Sequence, residues 1–190
     1  MRPRTTHPHA LIAALLLALS PAMPAAAGDA AAIHIDNFGR VDATFYRGAQ
    51  PHGRDYADLA ALGVKVLINL TDEDADASEQ AMAERAGMHY VQIPMTTHQP
   101  PTTAQLTQFM QIVTDPANQP VFVHCVGGRH RTGVMTAVYR MTHDGITGKA
   151  AFQEMKQYKY GPDFLHPEFK KFVESYEPKK ATAVVVAGSQ

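Results

Sequence analysis

The sequence His124-Cys-Val-Gly-Gly-Arg-His-Arg-Thr-Gly133 directly follows the apolar run Val121-Phe-Val123. The apolar run predicts a buried strand, and the residues from Thr132 to Met141 predict a helix. The loop between them therefore leads into a helix N-terminus, where backbone N–H groups and the helix dipole attract anions. A strand, a glycine-containing loop and a helix in this order indicate an α/β fold with an anion-binding loop.

This loop also contains the only cysteine of the chain, Cys125. The backbone N–H groups, the helix dipole and Arg131 all favour the thiolate form of its side chain. Gly127 and Gly128 allow the backbone to curve closely around an anion. The planar guanidinium of Arg131 can hold two oxygens of a tetrahedral dianion above the sulfur, and the Thr132 hydroxyl can help the sulfur to leave. We therefore predict a nucleophilic thiolate beneath a bound phosphate.

Strand and helix patterns alternate along the rest of the chain. Strands are predicted at 38–47 (two strands around a turn), 64–70, 90–93 and 121–124. Helices are predicted at 54–62, 78–86, 132–141, 147–158 and 167–176, with a further helix capped by Thr102. This alternation predicts a single α/β domain at 38–178 with a central, mostly parallel sheet flanked by helices. Residues 28–37 are predicted to be loose, and 179–190 to form a disordered tail.

Composition excludes several classes of protein. A length of 190 residues suits one domain. The 17 Lys and Arg nearly balance the 18 Asp and Glu, so no overall basic field exists to hold nucleic acid. One cysteine excludes an internal disulfide and is too few for a cysteine-based zinc site.

The N-terminus resembles a secretory signal peptide at 1–27. Two arginines precede the apolar run Leu11–Leu19, and Ala25-Ala-Ala27 fits a cleavage site. The apolar run is too short to span a bilayer, which excludes stable membrane insertion after cleavage. The expected location is therefore secreted or periplasmic. Because a free thiol is a liability in such an oxidising compartment, its presence indicates a chemical role for Cys125.

The spacing of Cys125, five intervening residues, Arg131 and Thr132, led by His124, resembles the signature loop of the cysteine-dependent protein tyrosine phosphatase superfamily. Its particular sequence is similar to that of atypical dual-specificity phosphatases of the plant-and-fungal type and their bacterial relatives. Three further stretches carry the same resemblance: Phe45-Tyr-Arg-Gly-Ala-Gln-Pro51, Val66-Leu-Ile-Asn-Leu70 and Asn118-Gln-Pro-Val-Phe-Val-His124. The resemblance covers about Phe38 to Tyr176.

The resemblance implies a phosphocysteine intermediate on Cys125, with Arg131 as the second catalytic residue and no metal or cofactor. The expected substrate is a phosphorylated protein or a small polyphosphorylated molecule. His124 is expected to tune the cysteine through hydrogen bonds, and Thr132 to support catalysis. The residues expected to bind phosphate are Val126, Gly127, Gly128, Arg129, His130 and Arg131. The side chains of Arg129 and His130 are expected either to be solvated or to add positive charge that favours polyanionic substrates.

The chain departs from the family in the loop Pro94–Pro101, which has no carboxylate. Members of the family usually protonate the leaving oxygen with an aspartate there. His98 is the strong proton donor available in this loop, and the alternative is that it is a solvated loop residue. The acid could instead be Asp72, Glu73 or Asp74, or the leaving group could depart without one.

Two other functions remain open from the sequence. A phosphate-binding pseudophosphatase would fit the missing loop aspartate. A rhodanese-type sulfurtransferase also uses a cysteine loop, but Arg131 and Thr132 at these positions favour phosphate.

Overall fold

The structure is a computed structural model that describes residues 33–72 and 75–178. The signal peptide predicted at 1–27 and the tail predicted at 179–190 lie outside the described residues. No helix in the described part of the chain is long and apolar enough to cross a membrane.

In the described part of the chain, five strands form one sheet in the order β1-β2-β5-β3-β4. Strand β1 is antiparallel to β2, whereas β2, β5, β3 and β4 run parallel to one another. The prediction of a mostly parallel sheet is thus confirmed. The strands are β1 (Gly39–Arg40), β2 (Phe45–Ala49), β3 (Val66–Asn69), β4 (His89–Gln92) and β5 (Val121–Cys125).

Within residues 33–72 and 75–178, six helices surround the sheet, each at a segment where the sequence predicts one. They are α1 (Asp55–Ala61), α2 (Glu79–Arg85), α3 (Thr103–Thr114), α4 (His130–His143), α5 (Gly148–Gln157) and α6 (Pro167–Ser175). The predicted cap of α3 is confirmed, because Thr102 accepts from the Gln105 backbone while the Gln105 side chain accepts from the Thr102 N–H.

Helix α4 begins at His130 and not at the predicted Thr132. Gly128 has a positive φ of 62°, after which Arg129 adopts a right-handed helical conformation. The Arg129 carbonyl already accepts a hydrogen bond from the Gly133 N–H at 3.1 Å. Arg131 therefore lies in the first turn of the helix, close to the positive end of its dipole.

Alternate residues of the central strands face two separate cores. Ile68 and Val123 pack on the side of α3 and α4, with Phe109. Leu67 and Phe122 pack on the side of α1 and α2, where Leu59 is one of their neighbours. All of these side chains are fully buried, and burial of each contributes about 1.5–3 kcal/mol to folding.

Helices α5 and α6 pack against α4 through a third core that includes Val134, Phe152 and Phe169. The carboxyl ends of the four parallel strands meet at one edge of the sheet, which is where α/β proteins bind ligands. Strand β5 ends there at Cys125, between β2 and β3.

Candidate active site

Cys125 is the last residue of β5 and pairs in register with Ala49 of β2. It is 4% exposed. The chain then turns through residues 126–129 into α4. The signature loop (Cys125 to Arg131) thus runs from the end of a central strand to a helix N-terminus, as predicted, and its sulfur lies at the base of the loop.

Gly128 packs directly against the backbone of β2. A β-carbon at this position would lie 2.3 Å from the Gly48 carbonyl carbon and 2.5 Å from the Ala49 nitrogen. Its φ of 62° is also a conformation that residues with a β-carbon rarely adopt. Glycine is therefore required at this point of the loop, for two independent reasons.

We expect Gly128→Ala to lower the free energy of unfolding by at least about 1–2 kcal/mol, the cost of a left-handed conformation alone. The clash with backbone atoms adds to this cost, because those atoms belong to β2, which is hydrogen-bonded to β5. Gly127→Ala is the matched control, since the nearest atoms to its β-carbon would belong to the flexible Arg129 side chain, at 3.5 Å or more. The control should change the unfolding free energy by less than about 0.5 kcal/mol. Urea denaturation measures both, and a Gly128→Ala protein as stable as the wild type would contradict this account of the loop.

Two side chains from outside the loop hold the Gly128 carbonyl. Arg47 Nη2 donates to it at 2.5 Å, and Asn37 Nδ2 donates to it at 2.8 Å and to the Tyr158 carbonyl at 2.9 Å. Because a trans peptide is planar, its N–H points away from its carbonyl. Fixing this carbonyl against Arg47 and Asn37 therefore directs the Arg129 N–H to the opposite side of the peptide.

Arg47 supports the signature loop through its bond to Gly128. The sequence analysis includes it only as part of the stretch Phe45–Pro51. It is 1% exposed, and its guanidinium lies 3.9 Å from the centre of the Tyr158 ring. Burial lowers the pKa of Arg47 to about 10, and electrostatic interactions with Tyr158, Cys125 and Glu154 oppose that shift. Arg47 therefore stays positively charged at neutral pH beneath the loop, within electrostatic range of the cysteine.

Residues 33–37 differ from the prediction that residues 28–37 are loose, whereas residues 28–32 lie outside the described residues. Ile35 is 5% exposed within the core of the α1 and α2 side. The Asp36 carbonyl accepts from the Ala49 N–H at 2.8 Å. The described end of this segment is thus packed against β2 and the signature loop.

Arg131 lies in the first turn of α4 and is 5% exposed. Its Nη1 donates to the Met95 carbonyl at 3.1 Å, which joins it to the loop after β4. The neighbouring Thr132 is fully buried, and its hydroxyl forms no hydrogen bond within the described residues. A hydroxyl without a partner beside the loop is consistent with the predicted supporting role.

The His130 side chain follows neither of the two predictions made for it. Its Nε2 lies 2.8 Å from the Tyr160 carbonyl, which can only accept, so this nitrogen carries a proton. Burial lowers the pKa of His130, although the bond to Tyr160 opposes the shift. The ring is therefore neutral at pH 7 and packs toward the C-terminal helices.

Val126 and Arg129 are exposed, so the Arg129 side chain can add positive charge at the rim of the signature loop.

His124 also differs from its prediction. Its ring forms no hydrogen bond within the described residues, so the hydrogen bonds expected to tune Cys125 are not made by the ring there. Instead Nε2 lies 3.0 Å from Oε1 of Glu79, without hydrogen-bond alignment, and both side chains are fully buried. Glu79 also accepts from Asn69 Nδ2 at 2.5 Å.

The sequence analysis missed Glu79 and its partners. Tyr56 donates to Glu79 Oε1 at 3.4 Å, and Asn69 also binds the Tyr90 hydroxyl. Burial and the nearby charge of Glu79 raise the pKa of Tyr56 well above its usual value. The one sequence signal was Asn69, a polar residue at the end of an apolar strand. This network fixes the ends of β3 and β5 next to the nucleophile.

The candidate acids lie on two loops at this edge of the sheet. His98 is 73% exposed and lies against the start of α6, with Nδ1 3.8 Å from Glu168 Oε1. Asp72 is exposed and follows β3. Glu73 and Asp74 lie outside the described residues.

Comparison with known proteins gives a consistent result. A family model described as "PTP-NADK: DSP-PTPase phosphatase fused to NAD+ Kinase" matches residues 32–173. The chain is 28% identical over 127 residues to the dual specificity protein phosphatase TpbA of Pseudomonas aeruginosa. That region covers 67% of this chain and 56% of TpbA, so the chain spans little more than half of that relative's length.

Two solved structures share the fold. One is the core catalytic domain of the PP-IP phosphatase SIW14 from S. cerevisiae, in complex with citrate. It superimposes with a TM-score of 0.65 and 25% sequence identity, and the match covers 75% of this chain and 86% of that chain. A cysteine-to-serine variant of P. aeruginosa TpbA in complex with pTyr gives a TM-score of 0.63 and 25% identity, over 73% and 83% of the two chains.

Proposed function

The chain belongs to the PTP-NADK family of DSP-PTPase phosphatases, and from this premise we propose that it hydrolyses phosphomonoesters through a phosphocysteine intermediate. The observation that carries the proposal is the position of Cys125 at the base of a loop that ends at Arg131, in the first turn of α4. The backbone N–H groups from Val126 to Arg131 bind the phosphate oxygens.

In the first step the Cys125 thiolate attacks phosphorus. A sulfur–phosphorus bond forms, and the bond from phosphorus to the leaving oxygen breaks with its electron pair on that oxygen. Arg131 and the loop N–H groups hold the equatorial oxygens throughout, so their effect is greatest in the transition state. In the second step water attacks phosphorus, the sulfur leaves as thiolate, and the Thr132 hydroxyl stabilises it.

Turnover of an aryl phosphate by the purified protein tests this function against a pseudophosphatase. Activity that disappears in Cys125→Ser supports the enzyme. Phosphate binding without turnover in the wild type would contradict it. Sulfur transfer is not favoured, because the matched relatives and structures are phosphatases. An assay of sulfur transfer from thiosulfate tests this alternative, and we expect no activity.

The loop and the relatives support a proposal for the substrate class. Arg129 is exposed at the rim and adds positive charge there, and the similar structures include a pTyr complex and a PP-IP phosphatase. We propose a phosphorylated protein or a small polyphosphorylated molecule as the substrate. Comparing kcat/KM for a phosphotyrosine peptide and an inositol polyphosphate separates these two.

We also propose His98 as a proton donor to the leaving oxygen. This proposal is supported by the hydrogen bond that Arg131 Nη1 donates to the Met95 carbonyl, because Met95 and His98 belong to the same loop. With EDTA present, His98→Ala should slow alkyl phosphates by about 10²–10⁴-fold and nitrophenyl phosphate hardly at all, since nitrophenolate leaves without a proton. Equal slowing of both substrates would exclude His98, and Asp72→Asn is then the next variant to measure.

The proposed location is secreted or periplasmic. It is supported by the basic start, the apolar run and the small residues before Gly28. Mass spectrometry of the exported protein should give a chain that begins at Gly28. Protein that keeps Met1 and stays in the cytoplasm would contradict this proposal.

A further inference from the structure

Three side chains with metal-binding atoms come together at the start of α6. His166 is the N-cap of that helix, and Glu168 lies in its first turn. His98 approaches them from the loop between β4 and α3. His166 Nδ1 lies 3.4 Å from Glu168 Oε1, and His98 Nδ1 lies 3.8 Å from the same oxygen. One ligand atom from each residue lies within 4.8 Å of the others.

Two of these atoms are buried without a hydrogen bond in the part of the chain that the structure describes. They are His166 Nδ1 and Glu168 Oε1. A buried polar atom without a partner destabilises the folded protein. The two atoms lie 3.4 Å apart. A cation bound between them would satisfy both at once.

The spacing fits a tetrahedral transition metal. Zn²⁺ binds imidazole nitrogen and carboxylate oxygen at about 2.0–2.2 Å, which places tetrahedral ligand atoms about 3.4 Å apart. The His98 side chain is 73% exposed, so it can close the remaining gap and leave a fourth position open to water. Two imidazoles select zinc, cobalt or nickel over calcium or magnesium.

We propose that His98, His166 and Glu168 form a binding site for a divalent transition metal of the zinc class. The site lies outside the phosphate-binding loop. It shares His98 with the proposed proton donation, which therefore requires the metal-free protein. The His166 ring lies 3.8 Å from the ring of His130, in the signature loop. A bound metal therefore joins the loop after β4 to α6 immediately beside the active site.

The test measures metal binding directly and does not depend on the proposed function. Untagged Cys125→Ser protein is used, because a thiolate would itself bind zinc. Calorimetric titration with Zn²⁺ should give one site for each chain, and Co²⁺ should give the intense visible bands of a four-coordinate ion. In this background Glu168→Gln should weaken Zn²⁺ binding by at least about 100-fold, since loss of an indirect partner already costs 10–100-fold.

His98→Ala provides a second variant, and because His98 is exposed this change leaves the fold intact. It should weaken binding to a similar extent. The matched control is His143→Ala, which removes an exposed histidine whose Nδ1 lies 2.7 Å from a carboxylate, that of Asp144. The control should bind Zn²⁺ like the parent. Zn²⁺ affinity that is unchanged in both Glu168→Gln and His98→Ala, or is lowered equally in the control, would overturn the proposal.

Discussion

Cys125→Ser is expected to lower kcat by about 10⁵–10⁶-fold, a loss comparable to removal of the nucleophile from a serine protease. A serine hydroxyl stays protonated at neutral pH and has no general base beside it, so it cannot replace the thiolate. Inorganic phosphate should still bind, because the loop N–H groups and Arg131 are unchanged. Steady-state kinetics and calorimetric titration with phosphate measure the two effects separately.

Two further results would bear on this expectation. Phosphate should protect wild-type Cys125 from alkylation by iodoacetate, because the anion covers the sulfur. Turnover by Cys125→Ser within tenfold of the wild type would exclude a covalent mechanism at this residue.

Arg131→Lys is expected to lower kcat by about 10²–10³-fold, the cost of removing a donor that acts on the transition state. Lysine keeps the charge but cannot hold two oxygens in one plane. It also cannot reproduce the direction of the bond from Arg131 Nη1 to the Met95 carbonyl. Since KM reports ground-state binding, we expect a smaller change in KM than in kcat.

Arg140→Lys is the matched control for this substitution. Arg140 lies in the same helix but binds Glu154 at 2.8 Å, away from the signature loop. Its replacement should leave kcat unchanged. A loss below tenfold in Arg131→Lys would show that Arg131 does not contact the phosphate.

Patterns within short segments were sufficient to predict the fold. The β-branched run at Val66–Asn69 and the capping residue Thr102 lie in the elements that they predict. The start of α4 was placed too late because Arg129 and His130 have no periodic apolar pattern. The backbone conformation of Gly128 starts the helix there, and a pattern of side chains does not predict that conformation.

The side chains that support the loop could not be predicted in the same way. Arg47 and Asn37 are 81 and 91 residues from Gly128, and only the folded sheet brings them to its carbonyl. A charged residue in a strand is ordinarily taken to be exposed, but Arg47 is buried by its stacking on Tyr158 and its bond to the loop. Glu79 was missed for the same reason, because its partners lie on other elements.

The stereochemical course at phosphorus tests the covalent mechanism most directly, whether or not the intermediate accumulates. The substrate is a phosphorothioate monoester made chiral with oxygen isotopes, hydrolysed in isotopically labelled water. Transfer of the thiophosphoryl group to Cys125 and then to water involves two in-line displacements, each of which inverts the configuration at phosphorus. The mechanism therefore predicts net retention of configuration in the thiophosphate product. Net inversion would mean that water attacks the substrate in a single step, and it would contradict a phosphocysteine intermediate.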